Sequence, residues 1–181
     1  MSNVYQMKVT LMDSKPPIWR RIQVPSDISL SKLHQILQAV MGWTDSHLHQ
    51  FVAGDKIYGV PDPDYGFEVI NERRFKLSQV AKGEKAKFRY EYDFGDNWQH
   101  QLLVEKVLPA EPGVHYPRCL TGKRACPPED CGGVYGYSTF LEAIQDPGHP
   151  EHQDMLEWVG GEFDPEQFDL EEINRALKRI G

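Results

Sequence analysis

The chain has 181 residues, 40% of them apolar and 26% charged, the balance of a globular domain long enough to bury a sizeable core. No apolar run approaches the roughly 20 residues of a membrane span, and Met-Ser-Asn-Val-Tyr-Gln-Met-Lys lacks the basic start and apolar middle of a signal peptide. The net charge of −7 and the small, scattered basic groups (Arg20-Arg21, Arg73-Arg74 with Lys76, Lys123-Arg124) argue against nucleic acid as a partner, which calls for a concentrated basic face.

Charge is uneven along the chain. Residues 129–181 carry 13 acidic and 3 basic side chains, while residues 1–128 carry 14 and 17. The acidic end reads as a solvated helical surface. The odd count of three cysteines argues against a disulfide framework and for a reducing cytoplasm.

Residues 4–12 alternate as a strand with Tyr5, Met7, Val9 and Leu11 on one face, and residues 18–24 form a second strand antiparallel to it. Ser29 caps a helix over 30–41 with the stripe Leu30, Leu33, Ile36, Leu37, Val40 and Met41, stopped by Gly42. "HLHQFVAGDKIYG" is a hairpin turned at Gly54-Asp55, and "VPDPDYGFEV" reads as a loop. A short helix is expected around Leu77–Ala81. "AKFRYEYDFGDNWQHQLLVEKV" is a second hairpin. A three-residue loop, Gly95-Asp96-Asn97, would pair Phe94 with Trp98, Tyr92 with His100, Tyr90 with Leu102 and Phe88 with Val104, placing His100 under aromatic cover beside Tyr92.

Three helices follow: "YSTFLEAIQ" after a Ser138 cap, "PEHQDMLEWV" with Pro150 in its first turn, and a last helix boxed by Asp169 and Glu172. The expected architecture is α+β in one domain over 1–181: a mixed, mostly antiparallel sheet with one helix over 4–110, a Pro/Gly/Cys loop over 111–135 and a helical segment over 136–181. The ββα opening is compatible with a β-grasp-like core.

Three constellations can carry chemistry. His47 and His49 share one side of a strand, so two imidazoles can reach one ion, although a pair of histidines lacks a full ligand set. Asp93, Asp96, Trp98 and His100 crowd one turn, where a histidine beside a carboxylate can serve as acid, base or oriented ligand, or the carboxylates can simply hold the turn. The third is "YPRCLTGKRACPPEDCGG". It places Cys119, Cys126 and Cys131, with His115 upstream, within 17 residues as candidate zinc ligands. The close Cys-x2-Cys pair of a zinc knuckle is missing, and the prolines favour a rigid loop whose Glu129 and Asp130 wall a pocket. Nucleophile elbows, phosphate loops and dinucleotide fingerprints are absent from the sequence.

"WRRIQVP", "LHQILQAVMGW", "HLHQF", "YEYDFGDNWQH", "RACPPEDCGG", "DPGHPEH" and "LEWVGGEFDPEQFD" together resemble, in order and spacing, the plasmid pRiA4b ORF-3-like family over about residues 4–175. The resemblance implies an α+β domain of bacteria and archaea, often plasmid- or mobile-element-associated, with no established reaction. A resolvase label carried by some relatives finds no support here, since the arginine-rich catalytic set and basic helix-turn-helix are lacking. The family's recurrent positions are His49, Asp93, Gly95, Asp96, Trp98, His100, Pro127, Pro128, Glu129, Asp130, Gly132 and Gly133. The expectation is a binding or interaction module in which His47, His49, Asp93, Asp96, Trp98, His100, Glu129 and Asp130 converge on one polar pocket for a small ligand or protein partner. The alternatives are a zinc-type, metal-dependent enzyme using His47, His49, Asp93 and His100, and a DNA-associated protein of mobile elements.

Overall fold

The computed structural model describes residues 3–64 and 68–180. In chain order the elements are β1 (Asn3–Leu11), β2 (Ile18–Pro25), α1 (Leu30–Met41), β3 (His49–Ala53), β4 (Lys56–Gly59), β5 (Ile70–Asn71), a 3-10 turn (Glu72–Arg74) and α2 (Leu77–Val80). Then come β6 (Lys87–Tyr92), β7 (Trp98–Pro109), β8 (Arg118–Lys123), α3 (Gly133–Gln145), α4 (His152–Val159) and α5 (Leu170–Lys178). The strands form one sheet in the order β5-β4-β3-β6-β7-β1-β2-β8. Every neighbouring pair is antiparallel except β4–β5. The fold is therefore α+β with a mixed, mostly antiparallel sheet; the β-grasp-like comparison extends to the ββα opening, because β1 pairs antiparallel with both β2 and β7. None of the helices among the described residues is long and apolar enough to cross a membrane.

Helix α1 follows its sequence signals closely. Its apolar stripe is buried, Ser29 Oγ accepts from the Lys32 amide, and Gly42 ends it at φ +110°. One unanticipated residue completes the C-terminus. Arg20, on β2 and only 2% exposed, donates from Nε to the Val40 carbonyl at 2.7 Å and from Nη2 to that of Met41 at 3.5 Å. A cation at that end satisfies carbonyls the helix leaves unpaired and complements its dipole. It also fixes where the chain departs into the 42–48 segment.

That segment is pinned to the sheet by Trp43. Its Nε1–H donates to His100 Nε2 at 3.0 Å, and His100 Nδ1–H donates to the Tyr90 carbonyl at 3.0 Å. His100 is fully enclosed, and burial lowers its pKa to about 4. Both ring nitrogens are used inside the core, so His100 acts as a neutral structural group.

The β6–β7 hairpin differs in register from the expectation. Tyr92 opposes Trp98, Tyr90 opposes His100 and Phe88 opposes Leu102, across a five-residue connection, 93–97. Asp93 is the cause. Its Oδ1 accepts from the Gly95 and Asp96 amides, and Asp93 and Asn97 both take left-handed φ. The longer turn swings Phe94 out to 44% exposure. A shift of two residues keeps the paired side chains of β6 and β7 on their expected faces, so His100 does lie under aromatic cover, beside Tyr90 instead of Tyr92.

Elsewhere the Gly54-Asp55 hairpin, α2 and the Asp169 cap form where expected. The segment 111–135, expected to be all loop, contains β8, an edge strand held to α5 by Asn174, which bonds both the amide and the carbonyl of Cys119. Helix α3 starts at Gly133, ahead of the expected Ser138 cap, and α4 starts at His152, past Pro150. The loop expected over 60–69 includes residues 65–67, which lie outside the described residues.

The hairpin tip and the Pro-Pro-Glu-Asp loop interlock. The Gly132 amide donates to Asp96 Oδ2, and a Cβ on Gly133 would sit 2.5 Å from the Asp96 carbonyl oxygen. Only a glycine permits that approach, and Gly133 also has φ +74°.

Two outcomes follow. His100 has a folded-state pKa of about 4 against an ordinary 6.5, so the unfolded chain takes the proton first. Its contribution is intact above pH 6.5 and is lost as pH falls towards 4, by about 3 kcal/mol. Urea titrations across that window should show a flatter pH dependence for His100→Gln than for the parent chain; equal slopes would remove His100 as the source. Gly133→Ala should destabilise by at least about 2 kcal/mol more than Gly54→Ala, because Gly54 shares the positive φ but has open space around it.

Candidate functional site

A cavity of about 560 Å3 opens between α1, the 42–49 segment, the chain following β4 and the hairpin tip. Its walls differ in chemistry. Leu48, Val60 and Phe94 line it while remaining 51%, 59% and 44% exposed. Three of the six large apolar side chains left exposed among the described residues thus gather on one concavity. Facing them are His34, Asp45, His47, His49 and Glu72.

His34, on the buried side of α1, belongs to a closed ring of hydrogen bonds. Gln38 Nε2 donates to the Tyr90 hydroxyl at 2.8 Å, and that hydroxyl lies 2.6 Å from His34 Nδ1. His34 Nε2 lies 2.9 Å from Asp45 Oδ1, and the Asp45 amide donates back to Gln38 Oε1 at 2.7 Å. The ring assigns every proton: Tyr90 O–H to Nδ1, and Nε2–H to Asp45. Burial, reinforced by neighbouring His49, lowers the His34 pKa, and burial holds the Tyr90 phenol well above its ordinary value. Both groups stay neutral near pH 7.

His49 stacks on His34 with ring centroids 3.5 Å apart and planes 7° from parallel. Its Nε2 sits 2.9 Å from each oxygen of Glu72, which is only 2% exposed. A carboxylate so enclosed needs such a partner. The pair ties β3 to the 3-10 turn after β5.

His47 precedes β3 instead of lying on it, and turns towards the interlocked loops. Its Nε2 lies 2.8 Å from Asp130 Oδ1 and 3.5 Å from Asp93 Oδ2. The nitrogen is buried yet aimed at neither oxygen, so it makes no hydrogen bond. Glu129 fixes the neighbouring backbone. Its Oε2 accepts from Tyr92 O–H at 2.8 Å and Thr44 Oγ1 at 2.9 Å, while Oε1 is buried without a partner. Burial and the bond to Glu129 raise the Tyr92 pKa above its ordinary value. His47, Asp93 and Asp130 form one group whose ligand atoms lie within 4.8 Å of one another; His34, Asp45 and His49 form another.

The structure thus brings together His47, Asp93 and Asp130, with Glu129 adjoining, and keeps His49 in the same cavity in a separate cluster. Asp96 serves the loop interlock. Trp98 and His100 are fully buried, away from the cavity lining. The proposed zinc residues of the cysteine loop are dispersed. Cys119 sits on β8 against α5, Cys126 packs against Gly42, Cys131 lies just ahead of α3, and His115 is exposed. Burial pushes the Cys119 thiol to about 11, that of Cys131 to about 12, and that of Cys126 well up. Among the described residues, no metal-capable group of three includes any of them. His34, Asp45 and Glu72 went unanticipated. His34 and Gln38 carried a signal, being polar residues four apart on the core side of α1; Asp45 and Glu72 carried none.

Comparison with known proteins agrees with this architecture. A family model described as plasmid pRiA4b ORF-3-like protein matches residues 3–172. The uncharacterized protein y4hQ of Sinorhizobium fredii is 42% identical over 179 residues, 98% of this chain and 92% of its own. The crystal structure of the protein of unknown function MM3350 from Methanosarcina mazei Go1 superposes with a TM-score of 0.87 at 41% identity, covering 95% of this chain and 98% of that one. On this match across nearly its whole length, the chain belongs to the plasmid pRiA4b ORF-3-like family.

Proposed function

We propose that the protein is a binding module whose cavity takes up a small amphipathic molecule, its apolar body against Leu48, Val60 and Phe94 and its polar head towards the histidines. The observation that carries this is the gathering of those three exposed apolar side chains on one concavity opposite a hydrogen-bonded polar floor. A mostly apolar pocket with a few placed polar groups is the usual form of a small-molecule site. The closed ring through His34 supports the reading, since its donors and acceptors are oriented before any ligand arrives.

Zinc-type, metal-dependent chemistry in the same region is the second reading. It is favoured by the two histidine–carboxylate groups bordering the cavity.

A fluorescent probe with an apolar body and an anionic head, 8-anilinonaphthalene-1-sulfonate, tests the first reading in metal-free buffer. One dye should bind per chain, and Leu48→Asp or Phe94→Asp should each weaken it about ten-fold, the cost of roughly one lost apolar contact. Ile57→Asp, at an exposed apolar position outside the cavity, should leave binding unchanged. Equal loss in all three variants, or in none, would remove the cavity as the site.

A further inference from the structure

The geometry points to a site for a first-row divalent cation formed by His47 Nε2, Asp93 Oδ2 and Asp130 Oδ1, at the boundary between the cavity and the Pro-Pro-Glu-Asp loop. Such a site is independent of what fills the cavity.

The distances fit. Two ligand atoms about 2.1 Å from one ion at near-tetrahedral angles stand about 3.4 Å apart. The observed 2.8 and 3.5 Å from Nε2 bracket that value. Direction fits as well. Nε2 is buried but aimed at neither carboxylate, as expected for donors that converge on a third body. An imidazole that served only to neutralise these acids would point its N–H at one of them.

The local charge also favours a cation. Asp93 is 6% exposed and faces Asp130 across the same imidazole, and among the described residues neither carboxylate makes an ion pair with a lysine or arginine. Beside them Glu129 holds a buried, unpartnered oxygen. A cation among these carboxylates would relieve their mutual repulsion.

The ligands are also held in place before any ion arrives. Asp93 spends Oδ1 on the Gly95 and Asp96 amides, leaving Oδ2 towards His47. Asp130 is clamped between Glu129, bonded to Tyr92 and Thr44, and Gly132, bonded to Asp96. Such outer contacts set ligand geometry in metal sites.

The neighbouring group of His34, Asp45 and His49 has ligand atoms equally close together but no buried, uncommitted nitrogen to offer. Both nitrogens of His34 are consumed in the hydrogen-bonded ring, and His49 Nε2 is shared by the two oxygens of Glu72. One nitrogen and two carboxylate oxygens suit zinc, cobalt or manganese better than calcium or copper(I). Three protein ligands match a site that keeps a position open.

Titration of the chelator-treated protein with Zn2+, and with Co2+ read by visible absorption, tests the site. One ion should bind per chain. His47→Ala and Asp130→Asn should each weaken binding by at least the roughly 10-fold that loss of even an outer-shell partner costs. Asp130 is a surface residue with its side chain 64% exposed, so its variant keeps the fold, as circular dichroism would check. His34→Ala, His49→Ala and Cys119→Ser should leave the stoichiometry at one. Absence of stoichiometric binding would overturn the assignment. So would an ion retained by His47→Ala and Asp130→Asn, or lost in His34→Ala or Cys119→Ser. The dye experiment is metal-free, so either idea can fail alone.

Discussion

The site hangs on one buried hydrogen bond, from Trp43 Nε1–H to His100 Nε2. The segment between α1 and β3 contributes Thr44, Asp45, Ser46, His47 and Leu48, and Trp43 is what fastens it to the sheet. At one end Arg20 fixes the departure from α1. At the other the Ser46 amide donates to the Tyr92 hydroxyl. Trp43 also packs on Tyr92 and Trp98, with centroids 5.3 and 5.0 Å away. Without that aromatic bed the imidazole of His47 has no fixed relation to the carboxylates it faces.

Four histidines illustrate how one side chain acquires different roles from its surroundings. His100 has both nitrogens committed inside the core, so it is architecture. His34 has both committed within a ring that reaches the cavity surface, so it presents a fixed face. His49 sets its Nε2 against both oxygens of a buried acid. Only His47 brings a buried nitrogen to a cluster without spending it. Counting free nitrogens, and not histidines, separates the candidate ligand from its neighbours.

Much of the fold was legible because local signals and burial agreed. Ser29, Gly42 and the stripe between them delimit α1, and the alternation in β6 and β7 assigns their faces. The hairpin register was not legible, because it turns on a carboxylate folding back onto two amides, a choice that composition alone does not distinguish from a shorter turn. Strand β8 was hidden by flanking prolines and glycines; it is held by pairing with β2 on one side and by Asn174, more than fifty residues onward, on the other. The candidate site was half legible. His47, Asp93 and Asp130 drew attention as residue types, but their meeting point depends on which side of Asp93 the chain turns. Glu72 and Asp45 acquire their importance only from tertiary neighbours.

The contact of Gly133 with the Asp96 carbonyl has a consequence for how this surface can be altered. The two loops are separate in sequence but fit as one solid piece, so neither can be recut alone. A longer hairpin tip would strike the glycine backbone, and any side chain at 133 would push the tip away. Transplanting the pocket edge to another scaffold, or exchanging it between relatives, therefore means moving both segments together.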